Sequence, residues 1–119
     1  AAVALRVKPD GTQLFQSVSE WDPALRQFIA LPIDVGQEGD QMFLILFGTG
    51  IRYYDPTSEA EVRIGNLSVN ALYAGRQDDF AGLDQVNIPL PKTLMGQGDV
   101  DVVLKLNGKT TNTVKIRLK

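Results

Sequence analysis

The sequence predicts an all-β fold, an antiparallel sandwich of two packed sheets. Three observations lead there. Six apolar residues run without interruption from Met42 to Phe47 and are closed by Gly48 and Gly50. Such a run is too short for a buried helix and suits a strand covered on both faces. Around it, stretches of alternating apolar and polar residues are separated by turn residues at regular intervals, and no segment carries a helical period.

Taken in order, Val3, Leu5 and Val7 alternate with Ala4, Arg6 and Lys8, which predicts a strand buried on its odd-numbered side. Pro9-Asp10-Gly11 supplies turn chemistry, and Gln13 to Val18 returns as the second strand of an N-terminal hairpin with Leu14 and Phe15 as its apolar part. Trp21 to Arg26 reads as a turn or single helical turn capped by Asp22, with Pro23 at its first position. Phe28 to Ile33 is extended, and Pro32 places it at an edge or a strand end. Gly36 to Asp40 forms a polar loop leading into the apolar run, and Ile51 to Ser58 a crossing loop after it.

Glu61 to Tyr73 predicts a hairpin turning at Gly65-Asn66, with Ile64 opposite Leu67 and Val62 opposite Val69. Ala74 to Gly82 reads as a loop. Gln85 to Leu90 is a strand with Val86, Ile88 and Leu90 on one side. Val100, Val102, Leu104 and Leu106 alternate in the next, and Val114, Ile116 and Leu118 in the last. Asn107-Gly108 marks the turn between them, but a strict two-residue turn would put the wrong face of the last strand inward. One extra residue must therefore be absorbed within Lys109 to Thr113.

Composition narrows the functional classes. The chain has 119 residues, enough for one domain with one core, and 12 basic against 14 acidic residues give a net charge of −2. No basic block offers a nucleic-acid face, and no long apolar segment predicts membrane insertion. Cysteine and histidine are both absent, which removes disulfides, thiolate chemistry and the commonest general base and metal ligand. The start at Ala1, without methionine or a leader, reads as a processed or excised piece of a longer chain.

Gly39-Asp40-Gln41 followed by Phe43 to Arg52 resembles a signature of an uncharacterised carboxy-terminal immunoglobulin-like domain family of large exported acidobacterial proteins. Tyr73-Ala74-Gly75, then Gly82 to Asn87 and Leu90-Pro91, is similar to its second signature. Gly98 to Leu104, with Asn107-Gly108-Lys109 and Asn112-Thr113-Val114, is similar to its closing hairpin. The opening Leu5-Arg6-Val7 and Asp10 to Gln13 extend the match over nearly the whole chain. The resemblance implies an immunoglobulin-like β-sandwich; with the extra N-terminal hairpin read above, the expectation is a single domain in which the strands of residues 1–35 pack on a core of 36–119. It also implies a secreted or cell-surface setting, and it implies no activity.

Gly48-Thr49-Gly50 departs from a dinucleotide loop, because Tyr53 stands where the third glycine belongs and Asp55-Pro56 where a helix should begin. Asp78, Asp79 and Asp84, with Asp40 or Asp55, match no calcium-loop spacing. Asp99 and Asp101 share one strand face, as a glycosidase pair would, but read as a charged exterior. The sequon Asn66-Leu67-Ser68 falls in a tight turn, and Lys8 or Lys105 with Asn112 lacks an acid to promote an isopeptide bond. Trp21, Tyr53, Tyr54 and Phe80, placed in loops, are the candidate interaction residues.

The expectation is a module with no catalytic residue, no cofactor and no metal. It would serve structure, anchoring or adhesion within a larger surface protein. Its partners would be the rest of a parent polypeptide or other copies of itself. A second expectation is a filament subunit that lends Ala1 to Val7, or the final strand, to a neighbour. A third is a carbohydrate-binding module, with Trp21 and Tyr53 or Tyr54 forming a coplanar platform for a glycan.

Overall fold

The structure, a computed structural model, describes residues 2–36, 38–48, 60–76, 84–106, 109–110 and 113–119. It is an antiparallel β-sandwich. The first sheet contains β1 (Ala2–Val7), β2 (Gln13–Ser17), β6 (Gln41–Gly48), β9 (Tyr73–Arg76) and β10 (Asp84–Leu90), in the order β2-β1-β6-β10-β9. The second contains β5 (Pro32–Ile33), β7 (Glu61–Ile64), β8 (Leu67–Asn70), β11 (Gly98–Leu106) and β13 (Val114–Leu118), in the order β5-β13-β11-β7-β8, with β12 (Lys109–Thr110) also on β11. Between them in sequence, β3 (Ser19–Asp22) and β4 (Gln27–Ala30) form a two-stranded sheet of their own. Among the described residues every pairing is antiparallel except β5 on β13.

The apolar run is β6, the middle strand of the first sheet, with β1 and β10 on its flanks. Met42, Leu44 and Leu46 point into the sandwich beside Ala4 of β1 and Val86, Ile88 and Leu90 of β10. They meet Ile33, Val62, Ile64, Val102, Leu104, Ile116 and Leu118 of the second sheet. Strand alternation then turns Phe43, Ile45 and Phe47 outward. Burial on both faces holds for Ile45, which is 6% exposed, but Phe43 and Phe47 are only half covered.

β1 corrects the expectation for its faces. Val3, Leu5 and Val7 lie outward and partly covered, while Ala4 and Arg6 are the buried side chains. An arginine can occupy the inner face because its partners come with it: Arg6 donates to Asp40 Oδ2 at 3.0 Å and to the Asp34 carbonyl at 2.7 Å. The charge is thus paired and hydrogen-bonded, as burial requires. Of the strands within residues 1–35, β1 and β2 join the first sheet and β5 the second, while β3 and β4 pair with each other.

Turn chemistry acts where the sequence placed it. Gly11 has φ +87°, its N–H donates to the Lys8 carbonyl, and Asp10 Oδ1 accepts from the Thr12 N–H. Gly65 has φ +59° while Asn66 is not left-handed, which selects a type II′ turn, and the register pairs Ile64 with Leu67 and Val62 with Val69. In the closing hairpin, β12 sets Leu106 opposite Lys109 and Lys105 opposite Thr110. That register would bring Thr113 to Val102, yet the observed partner is Val114, so one residue is absorbed after Thr110.

Two segments differ from expectation. Trp21 and Asp22 belong to β3, and the turn is confined to the residues after them, where Asp22 Oδ1 accepts from the Ala24 and Leu25 N–H groups. Ala74 to Arg76 continue β9 rather than opening a loop, because the chain changes sheets just before them. Ala71 donates to the Ala60 carbonyl beside β7, and the next amide, Leu72, donates to Asn87 of β10. Pro89 is accommodated in β10 because β9 pairs it only from Asp84 to Asn87, leaving no ladder partner there for the missing N–H.

Candidate interaction surface

The two outward faces of the sandwich have opposite chemistry. On the second sheet the outward positions include Val103, Ser68 and Asn70, and the charged ones are Glu61 and Arg63 of β7, Asp99, Asp101 and Lys105 of β11, and Lys115 and Arg117 of β13. They pair across strands: Arg117 Nε donates to Asp99 Oδ1 at 2.7 Å, and Lys115 Nζ lies 3.7 Å from Asp101. The Asp99 carboxyl is held below its ordinary value by the Arg117 hydrogen bond, and the same bond raises Arg117. This is a solvated, charge-balanced exterior.

On the first sheet no charged residue occupies an outward position among the described residues. β2 presents Gln13, Phe15 and Ser17, and β1 presents Val3, Leu5 and Val7. β6 presents Gln41, Phe43, Ile45 and Phe47, β10 Gln85, Asn87 and Pro89, and β9 Tyr73. Cross-strand register aligns these into rows. Phe15, Leu5, Phe43 and Pro89 stand side by side across four strands, and Val3, Ile45, Asn87 and Tyr73 form the row next to them. Gln85 Nε2 donates to Asn87 Oδ1 at 2.6 Å, so the amides at the border are oriented along the face.

Two shallow depressions indent this face and share Phe43 and Leu72. One, about 420 Å³, is walled mainly by Val35, Met42, Phe43, Leu72, Pro89 and Pro91, with Asp40 and Lys92 at its border. The other, about 200 Å³, lies between Leu5, Val7, Phe43, Ile45, Leu72 and Asn87. Leu72 and Tyr73, at the sheet change, are exposed. The face thus has an apolar, aromatic centre bordered by amides, with Asp40 and Lys92 at the margin of the larger depression.

Of the four candidate interaction residues, Tyr53, Tyr54 and Phe80 lie outside the described residues, as do Thr49, Gly50, Asp55, Asp78, Asp79, Asn107, Gly108 and Asn112. Trp21 is 53% exposed on β3 and meets Phe28 of β4, ring centroids 5.3 Å apart and planes at 71°. These two rings are therefore edge-to-face. Asp84 is buried at the start of β10, and Asp40 is engaged by Arg6 and by Lys8 at 3.8 Å. Among the described residues no three acidic, histidine or cysteine side chains gather as a metal site would need. No helix there is long and apolar enough to cross a membrane.

Sequence reasoning passed over Leu5, Phe15, Phe43, Phe28 and Leu72. The signal was present but weak: the odd positions of β1, β2, β6 and β10 contain no charge, while most outward positions of β11 and β13 carry one. No protein family, no curated protein and no solved structure matches this chain.

Proposed function

We propose that the protein is a non-catalytic, immunoglobulin-like joining module of an exported surface protein, and that its first sheet docks against a neighbouring module of the same polypeptide. The observation that carries this reading is the absence of charge from the outward positions of five strands, in a chain that is 22% charged overall. A neutral apolar face gives phosphate-rich partners nothing to pair with and suits another protein surface. The exported setting rests on the resemblance of the Gly39 to Arg52 and Gly98 to Val114 stretches to that domain family. Lending a terminal strand to a neighbour finds no support in the topology, since β1 lies between β2 and β6, and β13 between β5 and β11.

The test is photo-crosslinking in the natural polypeptide, with benzoylphenylalanine placed at position 43 or, as control, at position 101. Docking predicts intramolecular cross-links from 43 into an adjacent module and none from 101. Equal yields from both positions, or none from 43, would remove the proposal.

A further inference from the structure

We infer that β2 is a self-recognition edge, pairing antiparallel with β2 of a second copy about a two-fold axis at Phe15. Among the described residues β2 pairs with β1 alone and forms the border of the first sheet. Which backbone groups it still offers follows from the turn. Lys8 N–H donates to the Thr12 carbonyl, making Lys8 and Thr12 a hydrogen-bonded pair. Antiparallel ladders alternate, so Leu14 and Gln16 spend their amides and carbonyls on Arg6 and Ala4, while Gln13, Phe15 and Ser17 direct theirs away from the sheet.

Those three residues are spaced two apart, and a two-fold through Phe15 matches them to themselves. Phe15 then exchanges both hydrogen bonds with its counterpart, and Gln13 does so with Ser17 at each end. Nothing in the strand opposes this. Natural edges are usually blunted by lysine, proline or a bulge, and the nearest charges here are Asp10 and Glu20, beyond both ends of the strand. β5, by contrast, is two residues long and begins with Pro32. Phe15 is 63% exposed and Leu14 47%, so each would gain cover from the other copy. The occupant is a second copy because an uncharged strand can meet itself without repulsion, and the symmetric register uses every outward group. The pairing is closed: it yields a dimer with one continuous sheet, not a fibre. It stands independently of what covers the outward face.

The test is sedimentation of the isolated chain across concentration, with residue-resolved amide exchange. Dimers should form as concentration rises, and the amides of Gln13, Phe15 and Ser17 should gain protection while those of Leu14 and Gln16 stay protected throughout. Phe15→Pro deletes an outward N–H without touching the β1 ladder, and should leave a folded monomer; Phe15→Lys should do the same by charge. Phe43→Glu, on the outward face, should leave the dimer intact. A monomer at about 1 mM, growth into larger species, or dimers that survive Phe15→Pro or disappear with Phe43→Glu would each overturn the inference.

Discussion

Arg6 and Asp40, 34 positions apart in sequence, meet inside the sandwich with a guanidinium nitrogen 3.0 Å from a carboxylate oxygen. The second nitrogen of Arg6 reaches the Asp34 carbonyl, so one side chain on β1 fixes both ends of the connection from β5 to β6. Removing one member of a buried pair strands the other in a poor solvent, which typically costs about 3–5 kcal/mol. Arg6→Met should therefore lower unfolding free energy by about that amount, less whatever Lys8 recovers by shifting toward Asp40. Arg6→Met combined with Asp40→Leu should regain most of the loss. Urea titration of the three proteins decides it, and a loss under about 1 kcal/mol in the single variant would mean the pair is solvated.

Gly65 and Gly11 both sit at positive φ, but only one is crowded. A Cβ at Gly65 would lie 3.3 Å from Val100 Cγ1, whereas one at Gly11 meets nothing within 4 Å. Gly11→Ala should show a backbone cost of about 1–2 kcal/mol, and Gly65→Ala more, since the first position of a type II′ turn excludes a side chain more strongly and a Cβ there also crowds Val100. Equal thermal shifts for the two would show that neither the turn position nor Val100 adds a penalty.

Much of this fold was readable because its register is enforced twice, by alternation and by turn type. The Gly65-Asn66 pairing and the extra residue before Val114 follow from counting apolar positions outward from a two-residue turn. β1 was misread for a physical reason: Val3, Leu5 and Val7 are more apolar than Ala4 and Arg6, yet the inner face took the small residue and the paired cation. Local hydropathy cannot anticipate a partner contributed by Asp40. The outward face was hidden by the same ambiguity, since a strand apolar on both sides suits a covered core and an uncovered docking patch equally. β4 falls within the stretch read as extended from Phe28, but β3 does not show, because Trp21-Asp22-Pro23 carries a helix-start signature that a hairpin turn shares.

Adjacent residues of β6 should behave differently for this reason. Leu44 is fully buried between the sheets, and Leu44→Ala should cost about 2–5 kcal/mol. Phe43 faces outward and half covered, so Phe43→Ala should cost clearly less and also reduce binding of an apolar dye such as ANS. A Phe43→Ala loss matching Leu44→Ala would place Phe43 in the core and contradict the face assignment.

The charged exterior predicts an acid-side dependence. Asp99 titrates below its ordinary value because Arg117 hydrogen-bonds its ionised form. A depressed carboxyl contributes stability that is present above its unfolded value, about 3.9, and is lost as pH falls through the folded one. Arg117 is raised, so its share would fade only at extreme alkaline pH. The stability gap between the native chain and Arg117→Gln should thus be small near pH 7, where solvent screens exposed pairs, and vanish at pH values below the folded Asp99 titration. Added salt should shrink it further. A gap that widens on acidification would reverse the assigned sign.

Trp21 and Phe28 face each other across the β3–β4 hairpin, both largely exposed, at 53% and 69%. A two-stranded ribbon standing off the main sheets has little burial to hold it, so a cross-strand aromatic pair supplies much of its order. An edge-to-face pair is worth about 0.5–1.5 kcal/mol beyond its buried area. Trp21→Ala and Phe28→Ala, made singly and together, should show a coupling of that size in the hairpin's local opening, read by amide exchange at Ser19 to Ala30. Global unfolding should move little, because the hairpin contributes no side chain to the buried core. If a glycan instead stacked on Trp21, adding it would shift Trp21 fluorescence, and Phe28→Ala would leave that shift in place. Coupling near zero with exchange unchanged would mean the aromatic contact does not order the ribbon, and the hairpin would then owe its form to the Asp22-capped turn.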